Sequence, residues 1–337
     1  MNAHVLNVAP CEDELLSAYL VRLAHAHGLS PTRFCAYHFA GDAIWTRDID
    51  RSASPALLDA LATATGMAPA RAVAMTLQAL ERQLAVRSAA ATCATGLGAI
   101  GVYHRRRRAF GLRYCAACLA TGGAFLRAWR VEALMCCPIH RTALWDACTG
   151  CGAALELHHQ RRKLGVCHAC HCVLGAGAAP LPLSLRAQRW QARVRRTLAT
   201  DKVEQLGTPI RAADWLAGLG LMQRVCGPRS PRGVADDVHA RARHRVEVAE
   251  WTSAQLVRWP KCFARTCRMQ RVTQRRVARD TVPAWLLPIV EDWPAGTPRP
   301  RPAVPAWMRR LTCLQVRHAP GWRSERARLL LHRMQHA

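Results

Sequence analysis

Along most of the chain apolar residues recur every three or four positions, and strict polar–apolar alternation is scarce, so the sequence reads as helical. Residues 12–27, EDELLSAYLVRLAHAH, set Leu16, Tyr19, Leu20 and Leu23 on one face, carry acids in the first turn and stop at Gly28. Ser30 followed by Pro31 reads as an N-cap and first helical residue, opening a short helix PTRFCAYHF, and Ser54 followed by Pro55 repeats the device. The helix PALLDALATAT ends at Gly66, and Pro69 starts another, PARAVAMTLQALERQL. Ala62 and Gly66 have the spacing of a helix-turn-helix, in which glycine supplies the positive-φ turn. The second helix offers only Arg71 and Arg82 to a phosphate backbone, which favours a structural or protein-docking role for this module.

Charge divides the chain. Residues 1–104 hold 7 Arg, no Lys and 8 acids, leaving 41 basic and 14 acidic residues for the rest. A near-neutral head thus precedes a strongly cationic body, for which nucleic acid is the leading partner and steep salt dependence is expected. The scatter of basic residues over several segments speaks against a membrane surface, and no apolar run reaches the length of a membrane span. Glu12, Asp13 and Glu14 stand where a secretory signal would have its apolar core, so the 16 cysteines read as cytoplasmic thiols.

The strongest signal lies between residues 113 and 174. Cys115 and Cys118 pair at two-residue spacing, as do Cys137 and His140, with 18 residues between the pairs. Cys148 with Cys151 and Cys167 with Cys170 repeat the arrangement with 15 residues between. Two side chains from one tight turn converge on a single ion at this spacing, so the pattern predicts two tetrahedral, structural zinc sites. Cys136, His168, His171 and Cys172 adjoin the chosen ligands and leave a shift of one or two residues open. The unpaired cysteines, among them Cys11, Cys35, Cys93, Cys226 and Cys313, read as small buried hydrophobes.

Catalytic signatures are missing. Neither H-E-x-x-H nor the deaminase ligand set occurs, nor do a phosphate-binding loop, a dinucleotide fingerprint or a G-x-S-x-G elbow. Four-ligand thiolate sites are closed, so the chain reads as no enzyme.

In the body, Arg186, Arg189, Arg193 and Arg196 follow helical spacing, and so do Arg268, Arg271, Arg275 and Arg279. Each set reads as one basic stripe able to follow a phosphate backbone, with the run Arg105, Arg106, Arg107 and Arg108 as a further anchor. Trp190, Trp215, Trp251 and Trp259 read as core or interface anchors. Residues 233–251, GVADDVHARARHRVEVAEW, are ambiguous, with room for a second helix-turn-helix, and WPAGTPRPRPAVP reads as a semi-extended linker before a last basic helix.

The early EDELLSAYLVRLAHAHGLS, then RYCAACLATGGAFLRAWRVEALMCCPIH with its paired ligands bracketing Trp129 and Arg130, then LWDACTGCGAAL resemble the TniQ family of transposition target-selection proteins. The resemblance covers residues 11–174 and is loose beyond. It implies a non-enzymatic adapter that links a chosen target to an AAA+ ATPase and a transposase. Some family members recognise DNA directly and others dock on a CRISPR effector, often as dimers. The resulting expectation is a mainly α, multidomain, cytoplasmic and nucleoid-associated protein. Residues 1–104 would form the helix-turn-helix-like head, 105–178 the tandem zinc module, 179–292 a basic helical domain, and 293–337 the Pro-rich linker and terminal helix. The alternatives are a zinc-containing transcription regulator and, from another class, a metal-dependent nuclease.

Overall fold

The computed structural model describes residues 8–40, 44–85, 96–160, 163–205, 207–229, 237–277 and 282–295. Contacts divide the chain into one unit that ends at Pro294 and a second from Ala295, which lies almost wholly outside the described residues together with the expected linker and terminal helix. Among the described residues there are twelve α-helices and only two short antiparallel hairpins, as the apolar pattern predicts.

The head begins with α1 (Leu16–Ala26), α2 (Pro31–His38) and α3 (Ile49–Ser52). Helix α1 is buried nearly all round rather than on the one face expected, because α2, α3 and a 3-10 turn at Leu157–His159 enclose it. The acids before it are not its first turn. Leu15 is the N-cap, buried Glu14 pairs with Arg22 at 2.6 Å, and Asp13 accepts from Arg127 at 2.8 Å and from the Ala128 amide at 3.0 Å. Asp13 therefore fastens the head to the cysteine-rich segment, and Glu14 holds the lead-in segment on α1, instead of complementing a helix dipole.

Helix α4 (Pro55–Thr65) starts as expected, with the Ser54 hydroxyl accepting from the Leu57 amide at 3.1 Å, and ends at Gly66 with φ +70°. The single helix expected after Pro69 is two, α5 (Pro69–Ala74) and α6 (Gln78–Leu84). Long-range bonds cause the break: the Met75 carbonyl accepts from Leu16 at 3.0 Å, and the Leu77 amide donates to the Asp50 carbonyl at 2.6 Å. Burying Met75, Thr76 and Leu77 against α1 and α3 outweighs the helical bonds forgone there.

Arg130, wholly buried, reaches Asp48 at 2.6 Å, Asp50 at 3.3 Å and the Gly98 carbonyl at 2.8 Å. Asp50 in turn accepts from the Ser17 amide at 2.8 Å and hydroxyl at 2.9 Å at the start of α1. One guanidinium thus joins the cysteine-rich segment to two head helices. Burial, then the neighbouring Asp48, pushes the Asp50 carboxyl up to about 6, against the pull of Arg130.

Past a hairpin of β1 (Val102–Tyr103) and β2 (Arg106–Arg107), helix α7 (Ala116–Ala120) opens a region with little regular structure. The body comes next, with α8 (Leu185–Thr200), the hairpin β3 (Lys202–Gln205) and β4 (Thr208–Arg211), and α9 (Ala212–Cys226). Beyond them lie α10 (Val238–Leu256), α11 (Lys261–Met269) and α12 (Leu287–Glu291). From Val238 the ambiguous segment is one uninterrupted helix with no turn inside it. Arg241 and Arg245 of α10 pair with buried Asp146 at 3.0 and 2.6 Å, which binds the body to the cysteine-rich region.

We expect Arg130→Ala to cost about 3–5 kcal/mol in urea unfolding, because the buried Asp50 and half-buried Asp48 carboxylates lose their partner. Ser54→Ala should cost only about 1 kcal/mol. An acid with a raised folded pKa destabilises the fold as pH climbs through the window from its unfolded value to the folded one, and removing Arg130 moves that window higher. The Arg130→Ala deficit should therefore shrink between pH 8 and pH 5, and a pH-independent deficit would contradict this reading.

Candidate metal centres and basic faces

The expected ligands converge in two groups of four, Cys115, Cys118, Cys137 and His140, and Cys148, Cys151, Cys167 and Cys170, with all donor atoms of a group within 4.8 Å of one another. In the first, Cys118 Sγ lies 3.6 Å from Cys137 Sγ and 3.3 Å from His140 Nδ1, which is 3.4 Å from Cys115 Sγ. In the second, Cys148 and Cys170 are 3.6 Å apart and Cys151 and Cys167 3.7 Å. Tetrahedral zinc with thiolates at about 2.3 Å would set its ligands about 3.5 to 3.8 Å apart, so both donor sets fit that ion.

The backbone explains the convergence. Three of the four ligand pairs sit on the same turn. Cys137, Cys148 and Cys167 each donate an amide to the carbonyl five residues on, at 2.9, 3.0 and 2.9 Å. Their own carbonyls accept from Arg141, Gly152 and His171 at 3.0, 2.8 and 3.1 Å. Those three residues take φ of +57°, +73° and +60°, the left-handed value that closes the turn. Isolated bridges, Cys136 with Ala143, Ala147 with Ala154 and Val166 with Val173, seal the base of each. The fourth pair lies at the start of α7, with Cys115 as its N-cap.

This geometry resolves the register left open by the sequence. Cys136 is buried beside Arg195 outside the first group, and Cys172 is exposed outside the second. A hydrogen bond from Cys115 holds the Cys137 thiol well below its ordinary range, and the Cys172 amide does the same for Cys170. The expectation that the unpaired cysteines are buried holds for Cys35 and Cys226 and fails for Cys172, while Cys11 is half-buried. Cys93 and Cys313 lie outside the described residues.

The basic residues divide. Arg186, Arg189 and Arg196 of α8 are exposed, whereas Arg193 is half-buried, donates to the Glu204 carbonyl at 2.7 Å and to Gln205 at 2.8 Å, and lies over the Trp215 ring. The second expected stripe is not one helical face. Helix α11 ends at Met269, and Arg271, at φ +51°, closes a cap in which the Val272 amide reaches the Cys267 carbonyl at 2.9 Å and Val272 is buried. Arg268, Arg271 and Arg275 are each exposed on separate elements, and Arg279 lies outside the described residues. Of the hairpin run, Arg105, Arg106 and Arg108 are exposed, Arg108 lying over Tyr103, and Arg107 is half-buried.

Sequence reasoning missed a third convergence, Glu156 with His159 and His168, beside a cleft of about 860 Å³. His158 lines the same cleft. It is 2 % exposed and stacked on Trp45, the Arg105 backbone is its polar neighbour, and burial pushes it down to about 3. The only signal in the sequence was a lone acid near histidines, which carries no spacing rule.

Fold and centres together define a mainly helical protein with two compact four-donor cages that could hold metal. Residues 5–144 match the TniQ family model, a span that takes in the head and the first cage. Comparison with curated proteins gives no match. Among the described residues no helix is long and apolar enough to cross a membrane.

Replacing Cys115 or Cys148 with Ser should remove one bound metal ion each from the purified chain, measured by elemental analysis. Chelation should abolish the cooperative thermal transition of the cysteine-rich region, since metal binding there is folding free energy of on the order of 10 kcal/mol per site.

Proposed function

We propose that the protein is a non-enzymatic target-selection adapter of a DNA transposon, with a structural zinc ion in each cage. It would connect target DNA, or a DNA-targeting complex such as a CRISPR effector, to the transposon's AAA+ ATPase and transposase, acting in the cytoplasm at the nucleoid. A homodimer is compatible with this role. The observation that carries the reading is the TniQ match over residues 5–144, a span that contains both ends of the buried tie between Arg130 and the pair Asp48 and Asp50. Such a tie fixes the angle between the near-neutral head, proposed to meet protein, and the cysteine-rich segment that leads into the basic body.

The exposed guanidinium groups of Arg186, Arg189 and Arg196, with Arg268, Arg271 and Arg275, supply the proposed phosphate contacts. Arg193 is engaged inside the fold and takes no part in them. The cages leave no open ligand position when filled, so zinc there supplies rigidity and no activated water.

Fluorescence anisotropy on duplex DNA between 50 and 200 mM salt tests this. Binding should tolerate sequence changes and weaken steeply with salt, and the triple change Arg186→Glu, Arg189→Glu, Arg196→Glu should lower the log–log slope by about 2 to 3. Targeted insertion should require the ATPase. Tight binding of one duplex without partners would favour a transcription regulator, and divalent-ion-dependent cleavage would favour a nuclease.

A further inference from the structure

We propose that Glu156, His159 and His168 form a third metal site, open where the cages are closed, for a zinc-class divalent ion. The site draws on three separate local structures. Glu156 precedes the 3-10 turn Leu157–His159, His159 ends that turn, and His168 rides on the knuckle between Cys167 and Cys170. Glu156 Oε2 lies 2.7 Å from His159 Nδ1 and 3.4 Å from His168 Nε2.

Three observations favour an ion over a mere hydrogen-bonded cluster. The Glu156 side chain is only 4 % exposed, and its two oxygens are differentiated: Oε1 accepts from the Arg107 amide at 3.0 Å, while Oε2 faces both imidazoles. A carboxylate oriented through one oxygen with the other turned to two ring nitrogens is the arrangement in which an outer hydrogen bond fixes a metal ligand. His158, beside them, lines the same cleft as a buried imidazole with the Arg105 backbone as its polar neighbour, so one ring nitrogen is left over unless something polar enters.

The donor set decides the ion class. Two imidazoles and one carboxylate suit zinc and its neighbours rather than calcium or magnesium, and three protein ligands leave a coordination position for water or another oxygen donor. Ligands about 2.0 to 2.1 Å from a tetrahedral ion stand about 3.3 Å apart. The spacing to His168 already agrees, and His159, 37 % exposed, must retreat by a few tenths of an ångström. Arg106, at 3.5 Å from Oε2, competes for that oxygen, but its side chain is 67 % exposed on a hairpin and free to swing away. His159 and His168 line the cleft together with Ser30, Arg33, Arg106 and His171.

Cobalt titration of the tag-free full-length chain, freed of metal under reducing conditions, tests the assignment. Thiolate cages give intense near-ultraviolet charge-transfer bands; a nitrogen and oxygen site gives only weak visible bands. The expected result is a third equivalent that adds visible absorption without further charge transfer. That equivalent should vanish in Glu156→Gln and in His159→Asn while circular dichroism and the thiolate bands stay unchanged. Saturation with no such component in the wild-type chain would overturn the proposal, as would its persistence in the half-exposed His159→Asn variant. Neither outcome bears on the adapter reading, because the signature belongs to these three side chains alone.

Discussion

Between residues 113 and 183 the chain has almost no regular backbone bonding to hold it, and the convergence of eight soft donors is the constraint on which the rest depends. Its regular pieces are five residues of helix, two 3-10 turns and isolated bridges. Backbone groups in so irregular a segment recover little of the conformational entropy lost on ordering. Four donors closing on an ion would supply what the missing ladders do not. Everything the region holds in place hangs from it: Arg130 reaching into the head, Asp146 receiving Arg241 and Arg245 from the body, and Gln191 of α8 accepting from the Met135 amide at 2.7 Å.

The cationic character of the body looks different once its partners are known. Arg113 is wholly enclosed and donates to the Leu134 carbonyl at 2.8 Å, Arg130 neutralises two acids, and Arg241 and Arg245 share one. These guanidinium groups work as internal brackets, a role for which a planar fork with several donors suits Arg better than Lys. Outward guanidinium groups include those of Arg186, Arg189 and Arg196 on α8, of Arg268, Arg271 and Arg275 around the end of α11, and of Arg105, Arg106 and Arg108 on the first hairpin. The same economy appears in the acids: Asp13, Asp48, Asp50, Asp146 and Glu156 all have partners within the fold.

Legibility in the sequence followed the range of the interaction. The cage ligands could be read because two residues of spacing on one tight turn is a local rule, and the caps at Ser30 and Ser54 are equally local. The pairing of Arg130 with Asp50 spans 80 residues and that of Arg245 with Asp146 spans 99, distances over which a single sequence gives no register. Helix interruption was lost for the same reason, since the break between α5 and α6 is made by hydrogen bonds to α1 and α3. The expected stripe through Arg268 and Arg275 failed on a conformational detail: a non-glycine residue, Arg271, adopts the left-handed turn that ends the helix. The third convergence escaped because its members obey no periodicity, His168 being placed by the turn that also carries Cys167 and Cys170.

Zinc-edge X-ray absorption on the chain loaded with two equivalents tests the central claim most directly. Seven cysteines and one histidine shared by two ions predict an average shell of about 3.5 sulfurs at about 2.3 Å and half a nitrogen at about 2.0 Å. A shell dominated by oxygen and nitrogen, or one averaging about two sulfurs, would show that the cages do not carry the fold.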